Sequence, residues 1–255
     1  MSGNITPKPV CQCMDGRRPC ANAPQHGSLF CAAHKGTCMA SPRSGAEPPY
    51  EPQRWNDDPA IYRSLNCYAY AANYLDPATI EKCRHNNGKD CRGFFPQPGA
   101  RSGARNALNA RERRNCPSVE ALMRSDIPEL TRSSFHERCP QGSSKIALVS
   151  HKGEDYHFYR QDANGMWSHK DGSNKVKNFD ALKRRIFNPE FAARDYRHAG
   201  SDLNYSDFCG FYCVPRDRPI QLAQGGAAVA RRSRKQHAGR RWATRRRRHP
   251  RSGIA

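Results

Sequence analysis

The chain has 255 residues, 36% of them hydrophobic, and 43 Lys and Arg against 23 Asp and Glu give a formal net charge of +20. That length allows one substantial domain plus appendages, and no apolar run approaches the roughly 18–20 residues of a transmembrane helix. The opening MSGNITPKPVCQC lacks the apolar stretch of a secretory signal, so the expected setting is a soluble protein in a cytoplasm or nucleus or packed in a particle.

Residues 1–40 form a Cys/His-rich module. Cys13, Cys20, Cys31 and His34 offer four soft or borderline donors within a short segment. A tetrahedral Zn²⁺ wants such a set, and a closed site can fold a segment too small for its own core. This predicts a structural zinc, with Cys11 and Cys38 as flanking residues able to substitute or pair. Free or disulfide-bonded cysteines are the plainer alternative. Without a signal segment, the chain's 12 cysteines argue for metal binding or catalysis before a disulfide framework.

Residues 41–60 are proline-rich and read as a linker, and 61–216 should hold the main domain. Within it, 61–75 is predicted helical, and Cys67 lies in the small/aromatic run SLNCYAYAANYL. Residues 76–117 look irregular. SVEALMRSDIPEL (118–130) suggests a short helix opened by Ser118 and disturbed by Pro128. KIALVS (145–150) reads as a strand. The segment DYHFYRQDANGMWSHKDG predicts a hairpin, with strands at 155–161 and 166–170 joined by a turn from Asp162 to Gly165. Side chains alternate along a strand, so an aligned register puts His157 and His169 on one face. A mixed segment near 180–198 follows, then FCGFYCVP (208–215) as a closing strand. On a straight strand Cys209 and Cys213 share a face but are too far apart to bridge each other. Cys83 and Cys91 can close a small loop by disulfide or bind a metal with His85. One helix followed by antiparallel strands is an α+β order.

From 217 the chain turns to Gly/Ala and then to arginine, a composition typical of disorder. Residues 231–255 hold 11 Lys and Arg and no acid. Arg231, Arg232, Arg234, Lys235, Arg240, Arg241, Arg245, Arg246, Arg247 and Arg248 form an arm suited to nucleic acid or another polyanion, by charge alone. Trp242 adds a stacking surface, and a merely solubilising tail is the alternative.

A thiol at a helix start has a lowered pKa, and a nearby imidazole can take its proton. Cys67, His157 and His169 thus form a candidate nucleophile, base and orienting group. Their order and spacing resemble the NlpC/CHAP-type branch of the papain-like cysteine peptidases and amidases. The resemblance covers about residues 61–215 and departs at Asn66-Cys67-Tyr68, where the family often has Asp-Cys-Ser. It implies a papain-like helix on a small antiparallel sheet, and acyl transfer at an amide of a peptide or peptidoglycan-like substrate with no catalytic cofactor. Cys67 would be the nucleophile, His157 the base, and His169 the third member, with Asp162 or Asn174 next in line for that role. Tyr156, Tyr159 and Trp167 would line or support the cleft. NCYAYA, PQPG, the hairpin and FCGFYCVP also resemble uncharacterised proteins of giant DNA viruses, phages and bacteria, and RRPC…GSLFCAAH resembles small Cys/His modules of giant-virus proteins. The rival expectations are a non-enzymatic binding or virion-structural protein that keeps the fold, and a nucleic-acid-binding protein whose central domain is a scaffold.

Overall fold

The computed structural model describes residues 6–15, 18–86, 89, 91–104, 106–218 and 220–223. The expected basic arm of 231–255 lies outside the described residues. The architecture is α+β. Five short helices, α1 (Pro52–Asn56), α2 (Pro59–Ser64), α3 (Cys67–Ala71), α4 (Pro77–His85) and α5 (Cys116–Asp126), accompany a two-stranded ribbon, β1 (Met14–Asp15) with β2 (Arg18–Pro19). The main sheet contains β3 (Thr131–Ser133), β4 (Ser143–His151), β5 (Asp155–Gln161), β6 (Trp167–Lys170), β7 (Val176–Lys177) and β8 (Asp207–Pro215). Its six strands run in the order β3-β8-β4-β5-β6-β7, and every neighbouring pair is antiparallel. The last strand therefore inserts beside β4 rather than joining at an edge. Among the described residues no helix is long and apolar enough to cross a membrane.

Both faces of the sheet are covered, which explains why Ile146 to Val149 form a continuous apolar run rather than alternating. On one face Ile146, Leu148, Tyr156, Phe158, Tyr212 and Val214 pack with Tyr68 of α3 and Val119 and Met123 of α5. On the other, Ala147, Val149, Tyr159, Trp167 and Phe211 pack under Phe135, Ile186, Ala192 and Tyr205. A third cluster, with Trp55, Leu65, Tyr70 and Ile80, joins α1–α4.

Several elements differ from the sequence reading, each for a local reason. The expected helix over 61–75 is two helices, because Leu65 and Asn66 are extended and Asn66 restarts the chain as a cap, its side chain accepting from the Ala69 amide at 3.2 Å. Its amide group donates to the Pro96 carbonyl at 2.7 Å, which fixes the break. The stretch 76–117 is not wholly irregular. Asp76 caps α4 and Pro77 occupies its first turn. Helix α5 starts before Ser118, since Asn115 is the cap and accepts from the Ser118 amide at 3.0 Å.

Residues 41–60 are a strap rather than a free linker. The Ser41 hydroxyl receives Lys145 Nζ at 2.7 Å, the Ser41 carbonyl receives Gln161 Nε2 at 2.9 Å, and the Pro49 carbonyl receives Arg160 at 3.1 Å. The N-terminal module is docked on the body as well. The Gln12 side chain donates to the Arg185 carbonyl at 3.0 Å and accepts from the Phe187 and Asn188 amides.

Four disulfides, Cys13–Cys38, Cys83–Cys91, Cys116–Cys209 and Cys139–Cys213, use eight of the 12 cysteines. The expectation of metal or catalytic cysteines before disulfides is overturned for those eight; Cys11, Cys20, Cys31 and Cys67 are free. Cys209 and Cys213 do not share a face. Leu148 faces Gly210 and Val149 faces Phe208, so Cys209 is the extra residue of a β-bulge, and Gly210 takes φ +140° there. The bulge turns Cys209 toward α5, where Cys116 opens the helix, while Cys213 pairs with Cys139.

Candidate active site and metal centre

Cys67 opens α3, as expected, and α3 packs on the sheet through Tyr68 against Phe158, with ring centroids 5.3 Å apart. Tyr70 gives its hydroxyl to a bond with Ser168 at 2.7 Å and its ring face to the Arg160 guanidinium at 4.0 Å. His157 and His169 share a face of the hairpin. Tyr159 pairs with His169, and His157 stands two residues earlier on the same strand. The two imidazoles are in contact, with His157 Nε2 2.8 Å from His169 Nδ1.

Asp171, two residues beyond His169, completes the array. Its Oδ1 is 3.0 Å from His169 Nδ1 and 3.4 Å from His157 Nε2, and it also pairs with Lys177. Burial opposes its ionisation, but the two imidazoles and Lys177 hold the carboxyl well below the usual carboxylate range. The sequence reading missed Asp171. The available signal was its spacing, since a residue two past His169 continues the same side of the chain. Neither substitute named for the third position does this work. Asp162 is buried against Arg160, with Oδ1 3.0 Å from the guanidinium, and Asn174 lines the cavity without joining the array.

A backbone carbonyl orients the buried pair. His169 Nε2 lies 3.0 Å from the Phe179 carbonyl, which can only accept, so His169 carries a proton on Nε2. His169 Nδ1 faces both His157 Nε2 at 2.8 Å and Asp171 Oδ1 at 3.0 Å. The nitrogen of His157 that His169 leaves free is Nδ1.

Cys67 and His157 line one cavity of about 390 Å³, together with Asn66, Asp155, Tyr156, Asp171 and Tyr205. They reach it from opposite sides of the sheet. Cys67 belongs to the cluster with Tyr156 and Phe158, whereas His157 pairs with Val149 on the other face. His169 is fully buried behind His157 and is not among the lining residues. Among the described residues no hydrogen bond joins the Cys67 thiol to His157. Of the aromatic residues expected at the cleft, only Tyr156 lines it. Tyr159 stacks on His169 at 4.9 Å, and Trp167 is core.

Electrostatics correct the expectation of a low-pKa thiol. Burial pushes the Cys67 thiol well above its ordinary range, and the Asp155 carboxylate raises it further. Helix α3 has only five residues, too short for its dipole to offset that burial. Burial likewise pushes His157 down to about 3, against the pull of Asp171. The resting pair is a neutral thiol and a neutral imidazole, not an ion pair. Lys170, buried nearby, is brought to about 7 by burial and gives its ammonium to the Tyr62 and Gly172 carbonyls, both at 2.6 Å.

In the N-terminal module the candidate metal ligands are Cys11, Cys20, Cys31 and His34, whose donor atoms all lie within 4.8 Å of one another. Cys13 is not among them, because it is bonded to Cys38, and Cys11 takes its place. Cys20 Sγ is 3.7 Å from Cys31 Sγ, and His34 Nδ1 is 3.6 Å from Cys11 Sγ and 3.4 Å from Cys31 Sγ. Two thiolates at about 2.3 Å from one tetrahedral zinc stand roughly 3.8 Å apart, so the set fits that ion. Among the described residues the module's buried apolar side chains are its cysteines, with Phe30 partly buried against them, so bonds through sulfur supply much of its stability.

The chain is similar to insoluble matrix shell protein 1 of Ruditapes philippinarum, with 36% identity over 170 residues that cover 66% of this chain and 92% of that protein. No protein-family model matches the sequence, and no solved structure matches it.

Proposed function

The chain belongs to the family of insoluble matrix shell protein 1, and from that premise we propose that it is a cysteine amidase or peptidase of the papain-like, NlpC/CHAP type that works within an insoluble matrix. The observation that carries the reading is the cavity that Cys67 and His157 both line, with His157 held through His169 to the Phe179 carbonyl.

His157 Nδ1 takes the thiol proton as Cys67 Sγ attacks an amide carbonyl carbon. The proton passes to the leaving amine as the C–N bond breaks, and water then hydrolyses the thioester to release the acid and restore the thiol. The neutral resting pair makes this a general-base reaction rather than attack by a preformed thiolate. Asp171 compensates the charge that His157 gains. The N-terminal cluster of Cys11, Cys20, Cys31 and His34 holds a structural zinc, because four protein ligands leave no open position. The basic tail contacts nucleic acid or another polyanion. Four disulfides suit an oxidising compartment better than a cytoplasm.

A second reading, a structural protein of an insoluble matrix, is favoured by the name of the relative and by the buried, protonated Cys67. Acyl trapping separates the two. The full chain is treated with an activated ester, and the adduct is mapped by mass spectrometry. A thioester on Cys67 that forms in the wild type and not in His157→Ala supports the hydrolase. An unacylated Cys67 in the folded wild type sinks it in favour of the structural reading.

A further inference from the structure

The three atoms that meet behind the cavity are arranged for more than a proton. His157 Nε2, His169 Nδ1 and Asp171 Oδ1 form a triangle with sides of 2.8, 3.0 and 3.4 Å. The point equidistant from all three lies about 1.8 Å from each, so an ion with bonds of roughly 2.0–2.1 Å sits about 1 Å out of their plane. That is the facial arrangement of two imidazoles and a carboxylate, which leaves further positions open. From the geometry we propose that His157, His169 and Asp171 bind a divalent transition-metal ion, a second metal site separate from the cysteine cluster.

Two further observations support it. The Phe179 carbonyl fixes the His169 proton on Nε2 and so aims the Nδ1 lone pair at the common point. An imidazole held by a backbone carbonyl through its other nitrogen is the usual outer support of a metal-binding histidine. Finally, His157 and Asp171 line the cavity while His169 does not, so the open positions face the cavity. Lys177 is the competing cation, and it pairs with Oδ2 of Asp171, leaving Oδ1 free. Lys170 turns its ammonium to the Tyr62 and Gly172 carbonyls.

A metal on Nε2 of a neutral His157 leaves the ring proton on Nδ1, so the metal-bound form lacks the base that the hydrolase reading requires. The site itself stands whether or not Cys67 is a nucleophile, because it is read from metal stoichiometry. The test is equilibrium titration of the full, disulfide-intact chain with Co²⁺ and Zn²⁺, with thiolate-to-cobalt charge transfer marking the cysteine cluster alone. The wild type should bind two ions. His157→Gln and Asp171→Ala should each bind one, with the charge-transfer band intact. Cys20→Ser should lose the band and keep the second ion. Lys177→Met leaves the ligands untouched and should tighten the second site roughly tenfold, which keeps the test decisive if the loss variants fail to fold. Wild-type stoichiometry unchanged by His157→Gln and Asp171→Ala, or a second site indifferent to Lys177→Met, would overturn the proposal.

Discussion

Replacing Arg160 with methionine should cost about 3–5 kcal/mol, the usual penalty for stripping one partner from a buried ion pair. Arg160 is 1% exposed. Its guanidinium donates to Asp162 Oδ1 at 3.1 Å, Asn73 Oδ1 at 3.1 Å, the Pro49 carbonyl at 3.1 Å and the Tyr70 hydroxyl at 2.8 Å. Methionine keeps much of the apolar stem and removes every donor, leaving Asp162 buried without its cation. At 2–4 °C per kcal/mol for a domain of this size, the melting temperature should fall by roughly 6–20 °C. The sign of the pH dependence follows from Asp162, which burial already holds above the usual carboxylate range. Without Arg160 it rises further. The variant's deficit should therefore be smallest near and below pH 4, where the unfolded carboxyl is also protonated, and should grow as pH rises through the raised value. Urea unfolding at pH 4.5 and 8, with disulfides intact, measures both effects. Adding Asp162→Asn to the variant should recover part of the loss. A deficit below about 1 kcal/mol, or one that grows on acidification, would refute the account of Arg160 as the tie between strap, α3 and sheet.

Two further outcomes follow from the same structure. Burial opposes ionisation of Glu120, yet bonds from Arg132, Tyr212 and Arg124 hold it at about 2. Its contribution is fully present above the unfolded value near 4.3 and is lost as pH falls toward 2, so Glu120→Gln should flatten the acid limb of a stability–pH curve, and an unchanged limb would refute this. Cys116–Cys209 and Cys139–Cys213 close loops with sequence separations of 93 and 74. Removing either pair by double alanine replacement should cost about 2–4 kcal/mol, and non-reducing peptide mapping that finds these thiols free would contradict both bridges.

Much of the site was legible locally. Alternation along DYHFYRQ and WSHK put His157 and His169 on one face, because the period of a strand is fixed by the backbone, and the turn at Asp162–Gly165 set the register that pairs Tyr159 with His169. Asn66 before Cys67 carried the helix start, although the same cap, read as such, would also have divided the helix expected over 61–75. The Cys/His spacing of the N-terminal module identified a cluster, but not that Cys13 leaves it for Cys38.

What the tertiary structure decided has a common physical source: burial and partners from distant parts of the chain. Cys67 and His157 approach the cavity from opposite faces, so its contents depend on how α3 seats on Phe158. The Phe179 carbonyl, remote from the hairpin strands, holds a proton on Nε2 of His169 and so turns its Nδ1 to His157 and Asp171. The β-bulge at Cys209 reassigned both C-terminal cysteines by turning one residue through the sheet. Local sequence determined which side chains were available and how they alternate. Only packing set their protonation, because the free energy of a buried charge depends on what surrounds it rather than on its neighbours in the chain.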